Sequence, residues 1–142
     1  MDIQLATSDA QIAACYPVMS ELRPHIVETE FVARVREQME TGFRLAFLTV
    51  EGRPVAVAGF RFMQNLAWGR FLYVDDLVSC ATERSRGYGA ALLDWLVGYA
   101  ASNGCDQLHL DSGTQRKDAH RFYEREGLDM TSLHFCRKVP RH

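Results

Sequence analysis

No run of apolar residues in this sequence is long enough to cross a bilayer, and Met1 to Leu5 lack the basic segment and apolar core of a secretory leader. The expectation is a soluble, cytoplasmic chain with no membrane partner. Cysteine is sparse: Cys15, Cys80, Cys105 and Cys136 are widely separated, form no C-x-x-C pair, and have no histidine at finger-like spacing. This argues against a disulfide framework and a zinc finger, so the four are expected to be reduced core thiols and no metal is expected. Neither sign of charge prevails, with 16 basic and 18 acidic residues and a net charge of -2. Such a balance provides no global field to recruit nucleic acid, and any basic patch is local. Low-complexity linkers and internal repeats are also missing.

What is present is a chain of 142 residues, 47% of them hydrophobic, which is enough for one domain over residues 1-142 and too short for two comfortable ones. A first strand is expected at Ile3 to Ala6. Thr7, Ser8 and Asp9 then offer caps to a helix from Asp9 to Leu22, with Ile12, Cys15, Tyr16 and Met19 on one face and Arg23-Pro24 ending it. A second helix is expected from Thr29 to Glu40, stopped by Gly42. Phe43 to Val50 and Pro54 to Phe62, joined by Glu51-Gly52-Arg53, read as a hairpin. Arg70 to Cys80 follows as a strand, placing Phe71, Tyr73, Asp75 and Leu77 on one face and Leu72, Val74, Asp76 and Val78 on the other. Both faces are largely apolar, so this strand is central. A helix beginning near Tyr88 and ending at Asn103-Gly104, a short strand Gln107 to Asp111, a helix Asp118 to Glu126 and a last strand Ser132 to Val139 complete the order. This is an α+β fold of mixed α/β layers, with helices flanking a central sheet.

The segment Arg84-Ser85-Arg86-Gly87-Tyr88-Gly89 followed by Ala90-Ala91-Leu92-Leu93 joins a cationic, glycine-rich turn to a helix start. Glycines let a backbone turn sharply, and a helix start offers unpaired N-H groups and a positive dipole end to an anion. Taken alone, the turn could equally cap an ordinary helix. A P-loop is excluded because no lysine follows the glycines. A dinucleotide fingerprint is excluded because Leu92 occupies the third glycine position and only one βαβ unit follows.

Arg84-x-x-Gly87-x-Gly89 matches the [QR]-x-x-G-x-[GA] pyrophosphate loop of the GNAT superfamily of N-acetyltransferases. The order of elements and the later segment Ala119-His120-Arg121-Phe122-Tyr123 to Gly127-Leu128 match as well. The chain therefore resembles a small member of that superfamily. The resemblance implies the GNAT fold, with a central, mostly antiparallel mixed sheet, and acetyl-CoA as donor, lying in a splay beside the central strand. Carried over residue by residue, Leu77, Val78 and Ser79 would lend backbone groups to the pantetheine and thioester. Arg84, Ser85, Arg86, Gly87, Tyr88, Gly89 and Ala90 would hold the pyrophosphate, and no metal is implied.

An alkylamine has a pKa of roughly 10.4, so attack on a thioester at neutral pH needs a base. The resemblance points to Asp75 for that role, through a water, and to Tyr123 as the acid that protonates the leaving thiolate. The alternatives are that Asp75 and Asp76 hydrogen-bond neighbouring loops and that Tyr123 is a core aromatic. His120 and Arg121 lie on the same helix, and Arg116-Lys117 stand where many relatives have asparagine. His25, Met63, Trp68 and Tyr73 are candidates for lining the acceptor pocket.

The implied reaction moves acetyl to a primary amine of a small molecule or peptide through a ternary complex. Two rivals are a non-catalytic acyl-CoA-binding module and a structural or interaction domain. The mildly acidic chain leans toward a cationic acceptor, and a homodimer is common among similar folds.

Overall fold

The computed structural model describes residues 1-84 and 86-141; Ser85, a predicted loop residue, lies outside the described residues. The chain forms two compact units, Met1–Leu110 and Asp111–His142. The first contains five strands in the order β1-β2-β3-β4-β5. These are β1 (Asp2–Leu5), β2 (Arg44–Val50), β3 (Arg53–Asn65), β4 (Gly69–Ser79) and β5 (Gln107–Leu110). Neighbours pair antiparallel except β4 and β5, which run parallel. The expected mixed, mostly antiparallel sheet is present.

The β2–β3 hairpin turns at Glu51 and Gly52, both with positive φ, 54° and 78°. A two-residue turn of that twist matches the twist of the strands it joins. Helix α4 (Tyr88–Ser102) packs on β3 and β4. Its Tyr99 ring lies 5.8 Å from Phe60, which stands opposite Val74 in the ladder and so shares its face. Tyr73, one residue away, points to the other face, where α1 (Asp9–Ala14), α2 (Tyr16–Leu22) and α3 (Glu28–Met39) gather. Leu92 and Leu96 from α4, Ile12 and Met19 from the first helices, Phe31 from α3 and Leu45 and Phe60 from the strands are buried in one apolar cluster.

The single helix expected from Asp9 to Leu22 is two. It breaks at Cys15 because Pro17, in the first turn of α2, lacks the N-H a continuous helix would use. Ser8 and Gln11 close a reciprocal capping box at the start of α1, as the cap-forming residues foretold.

In the second unit, α5 (Lys117–Arg125) ends at Gly127, whose φ is +91°. Leu128 N-H donates to the Tyr123 carbonyl at 2.9 Å across that turn. The strand expected from Ser132 to Val139 does not form. Those residues join no ladder, and Leu133, Phe135 and Val139 are exposed. Alternating apolar residues confer a capacity to pair but do not supply a partner. No described residue of this unit is buried.

The cysteines are free, but Cys136 is exposed and Cys105 only half-buried, so the expectation of core thiols holds for Cys15 and Cys80 alone. Burial pushes the Cys15 thiol up to about 12. No helix among the described residues is long and apolar enough to cross a membrane.

Candidate active site

The site of the first unit is built on an irregularity in β4. Gly59 stands opposite Asp76 and Phe60 opposite Val74, so Asp75 is an extra residue in the ladder. Such a bulge leaves one residue unpaired, bends the strand and re-aims side chains. The strict alternation expected along Arg70 to Cys80 is therefore broken: Tyr73, Asp75 and Asp76 all line one cavity, of about 450 Å³. Asp75 and Asp76 were expected on opposite faces. The bulge corrects that expectation.

Gly59 makes room for this arrangement. A Cβ there would lie 2.6 Å from the Phe43 ring and 3.0 Å from Asp76 Oδ2. Helices α2 and α3 supply the facing wall. On α3, Phe31, Arg34, Val35 and Gln38 recur at helical spacing along the cavity, and Arg23 and His25 come from the chain after α2.

Both aspartates are paired with arginine. Arg61 donates to both Asp75 oxygens, with Nη2 2.6 Å from Oδ2, and also to Gln38 Oε1 at 2.9 Å. Arg23 Nε donates to Asp76 Oδ1 at 2.7 Å, and its Nη2 to the Asp75 carbonyl at 3.3 Å. The Asp76 side chain is only 14% exposed. Burial raises its carboxyl pKa above the ordinary value, against the lowering effect of Arg23. Asp76 is thus held back from ionising by burial, while Asp75 has both oxygens engaged by Arg61.

One strand edge beside the cavity is open within the sheet. The β4–β5 ladder ends at Val74↔Leu110, whereas β3 continues alongside β4 to Ser79. From Asp76 to Ser79, including Leu77 and Val78, β4 pairs with β3 only among the described residues. Those are the residues where a splay was expected.

The chain then enters the glycine turn. Cys80 N-H donates to the Val55 carbonyl and Ala81 N-H to Glu21 Oε1, both at 2.8 Å, which ties the turn to β3 and α2. Glu83 receives Arg53 at 2.9 Å and Arg86 at 3.3 Å, and Arg84 stands 3.9 Å from Glu21. Gly87, with φ +81°, is the N-cap of α4 and, as a glycine, gives its first turn no side-chain hydrogen bond. The helix that follows begins at Tyr88 and includes Gly89 and Ala90. An anion with several oxygens suits this arginine-flanked start.

In the second unit Tyr123 is half-buried, its ring 5.4 Å from Phe122. Burial raises its phenol above the ordinary range, and Arg116, by hydrogen bond and charge, pulls the other way. His120 Nε2 lies 2.8 Å from the Gly113 carbonyl, and Arg121 pairs with Asp118, so both side chains are engaged locally.

Of the acceptor-pocket candidates, Tyr73 and His25 line the cavity. Trp68 instead stacks on His109 at 3.7 Å, and Met63 is exposed on β3. Sequence reading passed over Arg23, Arg34, Gln38 and Arg61 and gave Asp76 no catalytic part. A pair of adjacent acids on a buried strand was the available signal, because buried carboxylates need counter-charges. Among the described residues no group of three or more His, Cys, Asp or Glu could hold a metal ion.

The sequence comparisons give one family, and solved structures share the fold. An uncharacterized N-acetyltransferase of Bacillus subtilis is 35% identical over 135 residues, covering 94% of this chain and 95% of that protein. A putative acetyltransferase structure from Agrobacterium tumefaciens superposes with a TM-score of 0.84 at 23% identity, over 98% of this chain and 100% of that one. An aminoglycoside N-acetyltransferase solved in complex with CoA has the same fold, with a TM-score of 0.85 at 14% identity, over 96% of this chain and 93% of the other. Residues 12–128 match the Acetyltransferase (GNAT) family. With the sheet, β4 and the glycine turn in the expected order, the chain belongs to the GNAT family of acetyltransferases.

Proposed function

We propose that this protein transfers acetyl from acetyl-CoA to a primary amine by direct attack within a ternary complex, and that residues 1-142 serve as a single catalytic domain. The observation that carries the reading is the open edge of β4 beside the carboxylates of the cavity, which the glycine turn and the start of α4 follow in the chain. Acetyl-CoA fits that run chemically. The backbone of Leu77, Val78 and Ser79 offers unpaired donors and acceptors to its amide-bearing arm, and the turn from Arg84 through Ser85, Arg86, Gly87, Tyr88, Gly89 and Ala90 offers N-H groups and arginines to its pyrophosphate.

When bound, acetyl-CoA supplies the thioester, whose C-S bond breaks as the C-N bond to the amine forms. A backbone N-H at Leu77 or Val78 polarises the carbonyl where negative charge grows. The Asp75-Asp76 pair supplies the base. Asp76 is the better acceptor of the amine proton, since its buried carboxyl holds a proton more readily than an ordinary one and Arg23 engages only one of its oxygens. Asp75, clamped by Arg61, positions the bulge. Tyr123 is assigned the proton for the leaving sulfur by its place in the sequence motif. Its raised pKa leaves the phenol protonated at neutral pH and able to donate.

The test is release of free CoA thiol with acetyl-CoA and a broad panel of primary amines. Amine-dependent release is expected. Tyr123→Phe should lower kcat by about a hundredfold while leaving acetyl-CoA affinity nearly unchanged. Cofactor binding with no turnover on any amine would instead support a non-catalytic acyl-CoA-binding module.

A further inference from the structure

The charges around the cavity differ from those of the whole chain. Its two carboxylates, Asp75 and Asp76, are matched by Arg61 and Arg23 at 2.6 and 2.7 Å, so this group of four sums to zero (two negative, two positive). The remaining charged side chain lining the cavity is Arg34. Among the described residues the Arg34 side chain has no ion pair and no hydrogen bond, although Glu30 and Gln38 lie one helical turn away on either side. It stands on the cavity face of α3, between Phe31 and Gln38. His25, exposed and likewise without a partner among the described residues, adds a ring donor from the chain after α2. The cavity thus has a neutralised carboxylate floor on β4 and an uncompensated guanidinium on its helical wall.

We infer that the acceptor taken here is a primary amine that also carries an anionic group, with the amine at Asp76 and the anion at Arg34. This deepens the acetyl-transfer reading and rests on it for the amine. It reverses the lean toward a cationic acceptor drawn from net charge. A second positive group on the acceptor would face Arg34 with no free carboxylate to receive it. An anion gains a charge-assisted, two-pronged contact from a guanidinium that loses no existing partner. A volume of about 450 Å³ suits a small molecule. Phe31, Phe43 and Ile26 line the space with apolar surface, which suits a short aliphatic spacer.

Calorimetry on the full chain, with and without CoA, tests this without requiring turnover. The probes are ω-amino carboxylates of increasing length, aminoalkylphosphonates of the same lengths, the matching carboxamides and the matching diamines. At the best length the anionic amine should bind about tenfold or more tighter than its carboxamide, and the carboxylate and phosphonate arms tell which anion is preferred. Arg34→Gln, on an exposed helix position, should erase that preference and leave carboxamide binding within about twofold, and Arg34→Glu should turn it toward the diamine. Carboxamides or diamines binding as tightly as the anionic amines across the series would overturn the inference. So would Arg34→Gln weakening all three classes alike. Thiol release measured on the same probes separates the two proposals: a binding preference with no turnover sinks acetyl transfer alone, and turnover without the preference sinks the anion alone.

Discussion

Asp75 and Asp76 are neighbours in sequence but differ in surroundings, and each difference predicts a different loss. Asp76→Asn removes the proposed proton acceptor and should lower kcat by about a hundredfold or more. Asp75→Asn removes a clamp rather than a base; its loss should be smaller and should appear in KM as the bulge relaxes. Steady-state kinetics of the two variants decide the assignment, and a larger kcat loss for Asp75→Asn would return the base to that residue. The buried Asp76 carboxyl also has a pH signature. Its folded-state pKa is raised, chiefly by burial, so the folded state holds the proton more tightly than the unfolded chain. Its contribution to stability is therefore full below the unfolded value of about 3.9 and is lost as pH rises through the folded value. Asp76→Asn should flatten that part of the stability curve measured by denaturant titration between pH 3 and neutrality (about pH 7). Cysteine behaviour follows the same logic: Cys136 should react with a disulfide reagent at once at about pH 8, whereas buried Cys15, held protonated, should react only as the chain opens. The aspartates, Tyr73 and His25 were visible in the sequence as candidates. Their arginine partners were not, because Arg23 and Arg61 lie 53 and 14 residues from the acids they neutralise and only the folded sheet brings them together.

At the level of elements, local rules located most of the fold. The capping box at Ser8, the two-residue turn at Glu51-Gly52 and the glycine stop after α4 each act through near neighbours and were legible for that reason. Two departures have non-local or overlooked local causes. Pro17 was inside an apolar pattern strong enough to read as one helix, yet its missing N-H divides α1 from α2. The β4 bulge leaves no mark in a strand of alternating residues, since an insertion is defined only against the partner strand. Gly59 is that partner's accommodation. Gly59→Ala should drive a methyl group into the buried Phe43 ring and toward Asp76, costing about 1-3 kcal/mol of stability and disturbing the aspartate pair. Gly87→Ala meets no atom of the described residues within 4 Å but must hold φ at +81°. Its cost is conformational, about 1-2 kcal/mol, and should fall on the cofactor as a weaker affinity for acetyl-CoA. A Gly59→Ala variant with unaltered unfolding midpoint and turnover would show that Phe43 and Asp76 yield freely.

For the molecule as a whole, stability is unevenly distributed. Among the described residues the buried apolar side chains all belong to Met1–Leu110, and none of Asp111–His142 is buried. A segment of that size without a core of its own opens at low free energy. Amide hydrogen exchange should therefore be fast in α5 and slow in β3, β4 and the middle of α4, where Leu92, Leu93 and Leu96 are fully packed. A single domain across residues 1-142 predicts that global unfolding nonetheless appears as one transition, coincident by tryptophan fluorescence and far-ultraviolet circular dichroism. Acetyl-CoA at about a hundred times its dissociation constant should add about 2.7 kcal/mol to that transition. For a chain of this length the gain corresponds to a rise of roughly 5-10 °C in Tm. The same addition should slow exchange at the first amides of α4, because a pyrophosphate seated there would occupy N-H groups that the N-cap Gly87 leaves without a side-chain partner. A Tm that does not move with acetyl-CoA would argue against the donor site. A Tm that rises without protection at Tyr88 to Ala90 would place the donor elsewhere on the molecule and detach the glycine turn from the chemistry.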